Sequence, residues 1–188
     1  MVVTKTRFTA ENWLQLGLRE LAAHGPDAVK LAPICDKAGL TRGSFYHHFA
    51  DHTAFLVGMA EMWLKTQTVD VASVADEDHS PNDRMTALSD AAMAIDYRLE
   101  LGMREMARRN ADVARIVERG DTMRLSVLTN LYMDRFGLEQ DAARDYAFLE
   151  YAAFAGLILL EPDMPTDRQR ALNARFNMMV LHVFADRD

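Results

Sequence analysis

Residues 31 to 49, LAPICDKAGLTRGSFYHHF, read as two short helices joined by a turn so tight that the turn itself sets the angle at which the second helix leaves. Gly39 stands where the first helix must stop, and glycine takes the left-handed conformation of such a stop without a side-chain penalty. Leu40, just past the stop, is placed to pack back on the helix it leaves. Thr41 is a good N-cap, because its hydroxyl can accept a bond from a free amide of the next turn, so a second helix starts almost at once. On a helix from about Arg42 to His48, Phe45 and Phe49 lie four apart on one face, while Arg42, Gly43, Tyr46 and His47 fall on the other. One face packs; the other carries a cation, bare backbone, a phenol and an imidazole.

Those groups suit nucleic acid, and a tight two-helix unit is the helix-turn-helix scaffold that lays its second helix in the major groove. Arg42 can reach guanine O6 and N7 or a phosphate, Gly43 permits close approach to the sugar-phosphate chain, and Tyr46 and His47 can bond phosphate oxygens, with Ser44 beside them. Thr41 serves as cap and as phosphate contact. The run resembles the TetR family of bacterial transcription regulators. That family's pattern is matched by Cys35, Ala38, Gly39, Leu40, Thr41, Gly43, Phe45, Tyr46, His48 and Phe49, ten positions of fifteen, which is far more specific than a lone short motif.

The resemblance extends to the flanks. A first helix is expected from about Thr9 or Ala10 to Ala23, with Trp13, Leu14, Leu18 and Leu21 at helical spacing and Gly25 ending it. Two residues depart from the family pattern. Gly17 replaces a usual alanine, at a cost of about 1 kcal/mol of helix propensity if nothing compensates. His52 replaces a usual lysine at the start of helix four, where an unperturbed imidazole, mostly uncharged above about pH 6.5, makes a weaker phosphate contact.

A net charge of -7 looks wrong for a DNA binder until it is divided. Residues 1–52 hold six basic residues against five acidic ones, and four histidines, so the acidity belongs to the remainder. Lys5 and Arg7 form a short basic arm. A weakly basic head implies modest non-specific affinity and strong salt dependence. With 188 residues, 49% of them apolar, the chain can bury a core in one or two small domains, and it has neither a long uninterrupted apolar run nor a signal-peptide core. A cytoplasmic protein without a membrane segment is expected. The single cysteine, Cys35, is read as a small inward-facing residue.

From Asp51, a cap for helix four, the pattern is helical to the end, with Phe55, Leu56, Met59, Met62 and Trp63 repeating at three and four. Ser73 to Asn82 reads as a loop, and Pro81 suits the first turn of a fifth helix. Further helices are expected near residues 83–96, 98–108, 111–135, 139–161 and 167–184, broken at Asn110, Gly137 and the run Glu161 to Pro165. The fold class is therefore all-α, with about nine helices. Residues 1–52 form a three-helix DNA-binding head and residues 53–188 an effector-binding and dimerisation body.

Arg98, the Arg-Glu-Met-Ala run at 104–107, Asp112 and Gly156 resemble, more loosely, the body of one TetR subgroup. TetR bodies hold small-molecule effectors between their helices, and flexible thioethers line adaptable apolar cavities. The resemblance thus implies a pocket built from Met59, Met62, Trp63, Met93, Tyr97, Met103, Arg104, Met106 and Met123, for an apolar or amphiphilic effector. Residues 146–160, YAFLEYAAFAGLILL, are apolar nearly all round, and such a helix must be covered on every side. Phe148, Ala152, Ala155, Gly156 and Leu159, with Phe176, Met179, Val180 and Val183 of the last helix, look like the four-helix dimer interface of TetR proteins. A two-fold dimer would meet a palindromic operator, and ligand in the body would release it by moving helix four.

Two other readings were weighed. One is a TetR-like protein that binds DNA constitutively, without a small-molecule ligand. The other is an all-α enzyme, argued by His24, His47, His48 and His52. Adjacent His47 and His48 point about 100° apart on a helix and do not readily share a metal, and no HExxH, paired cysteine or nucleophile elbow occurs. No enzyme activity, cofactor or metal is expected.

Overall fold

Each helix start that the sequence marks carries its cap. In the computed structural model, which describes residues 8–75 and 79–185, Thr9 accepts from the Asn12 amide in a capping box and opens α1 (Ala10–His24). A short 3-10 turn (Pro26–Val29) leads to α2 (Leu31–Ala38) and α3 (Arg42–Tyr46). Asp51 accepts from the Ala54 amide at 2.7 Å and opens α4 (His52–Leu64), which runs on through a π-helical stretch (Lys65–Val69) and one more turn (Asp70–Ala72). Ser80 caps α5 (Pro81–Met93); α6 (Tyr97–Ala107) follows. Asn110 accepts from the amides of Asp112 and Val113 and opens α7 (Ala111–Phe136). The last two helices are α8 (Gln140–Leu160) and α9 (Thr166–Ala185). The nine helices fall where the periodicity put them, and there is no strand among the described residues. Of the loop expected from Ser73 to Asn82, residues 76–78 lie outside those described.

Packing divides the chain into two units, one of residues up to Lys65 together with Arg98–Arg119, the other of Thr66–Tyr97 with Gly120 onwards. In the first unit the buried residues of α1 to α4 meet around aromatic rings. Phe45 is fully buried and touches Trp13, Phe49 and Phe55 at ring-centroid distances of 5.4, 5.1 and 5.2 Å. Leu21, Val29, Ile34 and Cys35 complete that core, and burial pushes the Cys35 thiol up from its ordinary value. α3 is shorter than expected, ending at Tyr46 instead of His48, because the amides of His48 and Phe49 both turn onto the Phe45 carbonyl.

Gly17 has its compensation in α4. A Cβ there would stand 2.6 Å from Met59 Sδ and 2.7 Å from Phe55 Cζ, both on fully buried side chains. Gly58 faces back in the same way, where a Cβ would meet Leu14 Cδ2 at 2.9 Å. The two helices therefore approach through paired glycines, and an alanine at position 17 has no room. The expected pocket residues Met59, Trp63, Met103 and Met106 are corrected by the same packing, for all four are buried in this unit's core. The Trp63 indole donates to Glu100, a fully buried carboxylate, at 3.1 Å, and Arg104 holds the other carboxylate oxygen at 2.8 Å. An Arg104 guanidinium spent on that buried acid serves the core.

In the second unit, Met85 of α5, Leu128, Leu131 and Tyr132 of α7, Leu138, and Ala143 and Ala147 of α8 form one buried cluster. Phe136 stacks on Phe184 of α9 at 4.2 Å. The π-helical stretch is met by Arg124 of α7, which donates to the Gln67 carbonyl at 3.0 Å and to Thr68 Oγ1 at 3.0 Å. Thr66, Thr68 and Val69, β-branched residues that hold an α-helix weakly, occupy the widened turn. Tyr132 donates to Glu150 Oε2 at 2.7 Å. Burial pushes the Glu150 carboxyl up, with the Tyr132 bond and the Arg135 charge pulling the other way.

Two outcomes follow for stability. Gly17→Ala should destabilise by about 1 to 3 kcal/mol in urea unfolding, overpacking outweighing the gain of roughly 1 kcal/mol in helix propensity. A raised carboxyl stabilises fully only below its unfolded value and loses that contribution as pH rises through the folded one, so charging Glu150 costs stability at neutral pH. Glu150→Gln should therefore melt higher than the parent at pH 7, with the difference closing toward pH 4.

Candidate nucleic-acid interface and internal cavity

The turn between α2 and α3 is closed by two backbone bonds, from the Gly39 amide to the Asp36 carbonyl and from the Leu40 amide to the Cys35 carbonyl, each 3.1 Å. This is the Schellman stop, and Gly39 sits at φ 65°, ψ 30°. Thr41 follows immediately, its hydroxyl accepting from the Ser44 amide at 3.2 Å. Stop and cap occupy three consecutive residues, which leaves α3 one direction. Buried Phe45 and Phe49 turn inward, while Thr41, Arg42, Gly43, Tyr46 and His47 are exposed and Ser44 is half-buried. Tyr46 is half exposed, at 50%, one turn on from Arg42.

The cations nearby divide by partner. Lys30 pairs with Asp27 at 2.9 Å and Lys37 with Glu20 at 3.1 Å, whereas Arg42 has no ion-pair partner among the described residues. Among the described residues, Arg42 thus leaves a free charge at the start of α3. His52 lies at the edge of the same unit with its Nε2 2.8 Å from the Val29 carbonyl, an atom pair that requires the ring nitrogen to donate. Its ring also leans on Phe45 and Phe55 at 6.5 and 6.1 Å. The imidazole that replaces the family's lysine is therefore tied to the fold through one nitrogen, leaving the other for any outside contact. The basic arm of Lys5 and Arg7 lies outside the described residues.

A cavity of about 440 Å3 opens in the second unit. Its apolar wall comes from α5, α7, α8 and α9, including Leu88, Val127, Phe154, Leu157, Phe176 and Met179. Of the expected pocket residues, Met93 and Tyr97 line it; Met62 and Met123, both half-buried, do not. The polar lining includes Gln67, Thr68, Arg124, Glu150 and Tyr151. Arg124 donates to the Tyr151 hydroxyl at 3.1 Å, and that hydroxyl donates to Asp121 at 2.5 Å. Sequence reasoning missed these groups because they reach one space from separate helices. Glu150 alone had a visible signal, a single carboxylate inside the apolar run YAFLEYAAF.

The expected contact face of α8 and α9 is open in the single chain. Phe148 is 60% exposed, Leu159 69%, Met179 64% and Val183 52%, with Ala152 exposed beside them. Ala155, Gly156, Phe176 and Val180 are half-buried, and Phe176 and Met179 also line the cavity. No described helix is long and apolar enough to cross a membrane.

The comparisons with known proteins agree with this geometry. Residues 14–58, which hold the stop, the cap and α3, match the family model of bacterial regulatory proteins, tetR family. Among curated proteins no relative matches. Among solved structures, a transcriptional regulator of Rhodococcus sp. Rha1 superposes with a TM-score of 0.77 at 17% identity, over 92% of this chain and 96% of that one. The ketosteroid transcriptional regulator KstR2 of Mycobacterium tuberculosis gives 0.67 at 19% identity, over 92% and 93% of the two chains. Reduced NemR of E. coli gives 0.67 at 20% identity, over 81% and 86%. Residues 14–58 thus carry the N-terminal helix-turn-helix of the tetR family of bacterial regulatory proteins, in a chain whose all-α fold is shared with solved transcriptional regulators.

Proposed function

We propose that this regulator is a dimeric repressor that leaves a palindromic operator when a small apolar or amphiphilic molecule binds. The exposed face of α3, with Arg42 at its start and Tyr46 and His47 one turn on, carries the reading. In this reading residues 1–52 bind double-stranded DNA in the cytoplasm and residues 53–188 bind effector and partner subunit. Thr41, Gly43, Ser44, Tyr46 and His47 position the helix on phosphates, His52 adds a contact through its second nitrogen, and Arg42 reads a base.

The open apolar face on α8 and α9 supports the dimer. Large side chains at more than half exposure form a patch that a monomer would hold against water, and a second copy of the same face removes it. Two recognition helices related by a two-fold axis would then sit about 34 to 36 Å apart, in successive major grooves. The cavity in the second unit supports the effector. Occupancy acts as a population shift, and only a difference in affinity between DNA-competent and ligand-held states moves it, by about 1 to 3 kcal/mol of coupling.

Gel-shift titration against the DNA flanking the gene should find a palindrome that binds; no binding there at low salt would sink the autoregulatory form. Tyr46→Phe should weaken binding on all sequences alike. Arg42→Ala should cost about 1 to 3 kcal/mol and also relax sequence preference, and an equal loss on every sequence would reassign Arg42 to a phosphate. Leu159→Glu should keep its helical circular dichroism but sediment as a monomer; an unchanged dimer would place the interface elsewhere.

A further inference from the structure

The cavity's charged groups differ in how they are met. Arg124 bonds Thr68, the Gln67 carbonyl and Tyr151, whereas the exposed Arg175 bonds the Ala171 carbonyl at 3.1 Å. Glu150 lines the cavity with one oxygen taken by Tyr132, and among the described residues no hydrogen-bond donor meets the other and no cation pairs with it. Three aromatic rings share the wall, with Tyr97 edge-on to Phe154 at 5.8 Å and Tyr151 stacked on Phe154 at 6.3 Å.

We infer that the effector is a lipophilic amine, its apolar body filling the cavity and its ammonium group donating to the open oxygen of Glu150. This deepens the effector reading above and rests on it. A part-buried carboxylate without an ion-pair partner is costly, and a cation that also donates a hydrogen bond reduces that cost at one atom. Tyr97, Tyr151 and Phe154 line the same cavity, and an aromatic face, the negative end of its quadrupole, attracts the same charge. An alcohol satisfies the hydrogen bond without the charge. A carboxylate head does neither at Glu150, and would have to turn to Arg124, which already bonds three protein groups, or to the exposed Arg175. The direction of the Glu150 titration agrees, since its carboxyl is pushed up mainly by burial and a bound ammonium would draw it back down.

Decylamine, decanol and decanoate share a tail and differ only in the head, so the full-length protein can be titrated with each, below its micelle concentration, by calorimetry at pH 7. Decylamine should bind about tenfold or more tighter than either of the others, the scale of a charge-assisted hydrogen bond over a neutral one. Glu150→Gln should abolish that preference and leave decanol affinity within about threefold, tail burial being unchanged. The series on the unmodified protein stands without the variant. Equal binding of amine and alcohol would overturn the amine assignment while leaving the effector cavity intact. Tightest binding of decanoate would overturn it and move the head-group contact to Arg124 or Arg175. Failure of all three to bind or to raise the melting temperature would overturn this inference together with the reading of the cavity as an effector site, whereas binding without release of operator DNA would overturn only the sensor function.

Discussion

α3 is five residues long, and a helix of that length has no stability of its own in water. What holds it is the burial of Phe45 among Trp13, Phe49 and Phe55, with the Schellman stop at Gly39 on one side and the Asp51 cap of α4 just beyond the other. Each constraint removes a different freedom. The ring fixes which face turns inward, the stop fixes the departure from α2, and the Thr41 hydroxyl supplies the acceptor that a first turn lacks. The exposed set from Thr41 to His47 is a by-product of that anchoring. An exposed face whose residues take no part in the packing can be varied freely so long as the aromatic anchor remains.

The anchor depends in turn on how closely α1 and α4 approach. Gly17 and Gly58 remove side chains where Met59, Phe55 and Leu14 arrive, and this lets Phe55 reach Phe45. Close packing here carries the propensity penalty of a glycine inside a helix, and the buried aromatic and thioether contacts offset it. It also explains why Met59, Met103, Met106 and Trp63 serve as core, since flexible thioethers fill an irregular space between helices as readily as they line a pocket.

In the second unit, the same helices answer two demands. One side of α8 and α9 walls a cavity and another faces outward with Phe148, Leu159 and Val183 bare. Met179 belongs to both, so the cavity wall and the exposed apolar face are continuous along α9. Polar groups in the cavity are sorted by partner. Arg124 is consumed in holding the π-helical stretch, and Glu150 keeps an open oxygen.

Helix positions, the stop at Gly39, the caps at Thr41 and Asp51, the break at Asn110 and the outward apolar stripe were legible in the sequence because each rests on neighbours within a turn or two. Periodicity also showed that α8 is apolar on more sides than one chain would bury. It did not show which apolar side chains pack against protein and which border empty space, since a methionine at helical spacing looks the same in both. That difference is set by where separate helices diverge. Gln67, Arg124 and Glu150 meet in one cavity although more than eighty residues span them, and no local pattern marks such a meeting. The sequence by itself determined the helices, their ends and the exposed polar face of α3, all consequences of short-range backbone and hydrophobic rules. Only the tertiary structure decided that Gly17 is required by α4, that His52 is tied to Val29, and that a lone carboxylate overlooks the cavity, because each depends on a contact between residues far apart in the chain.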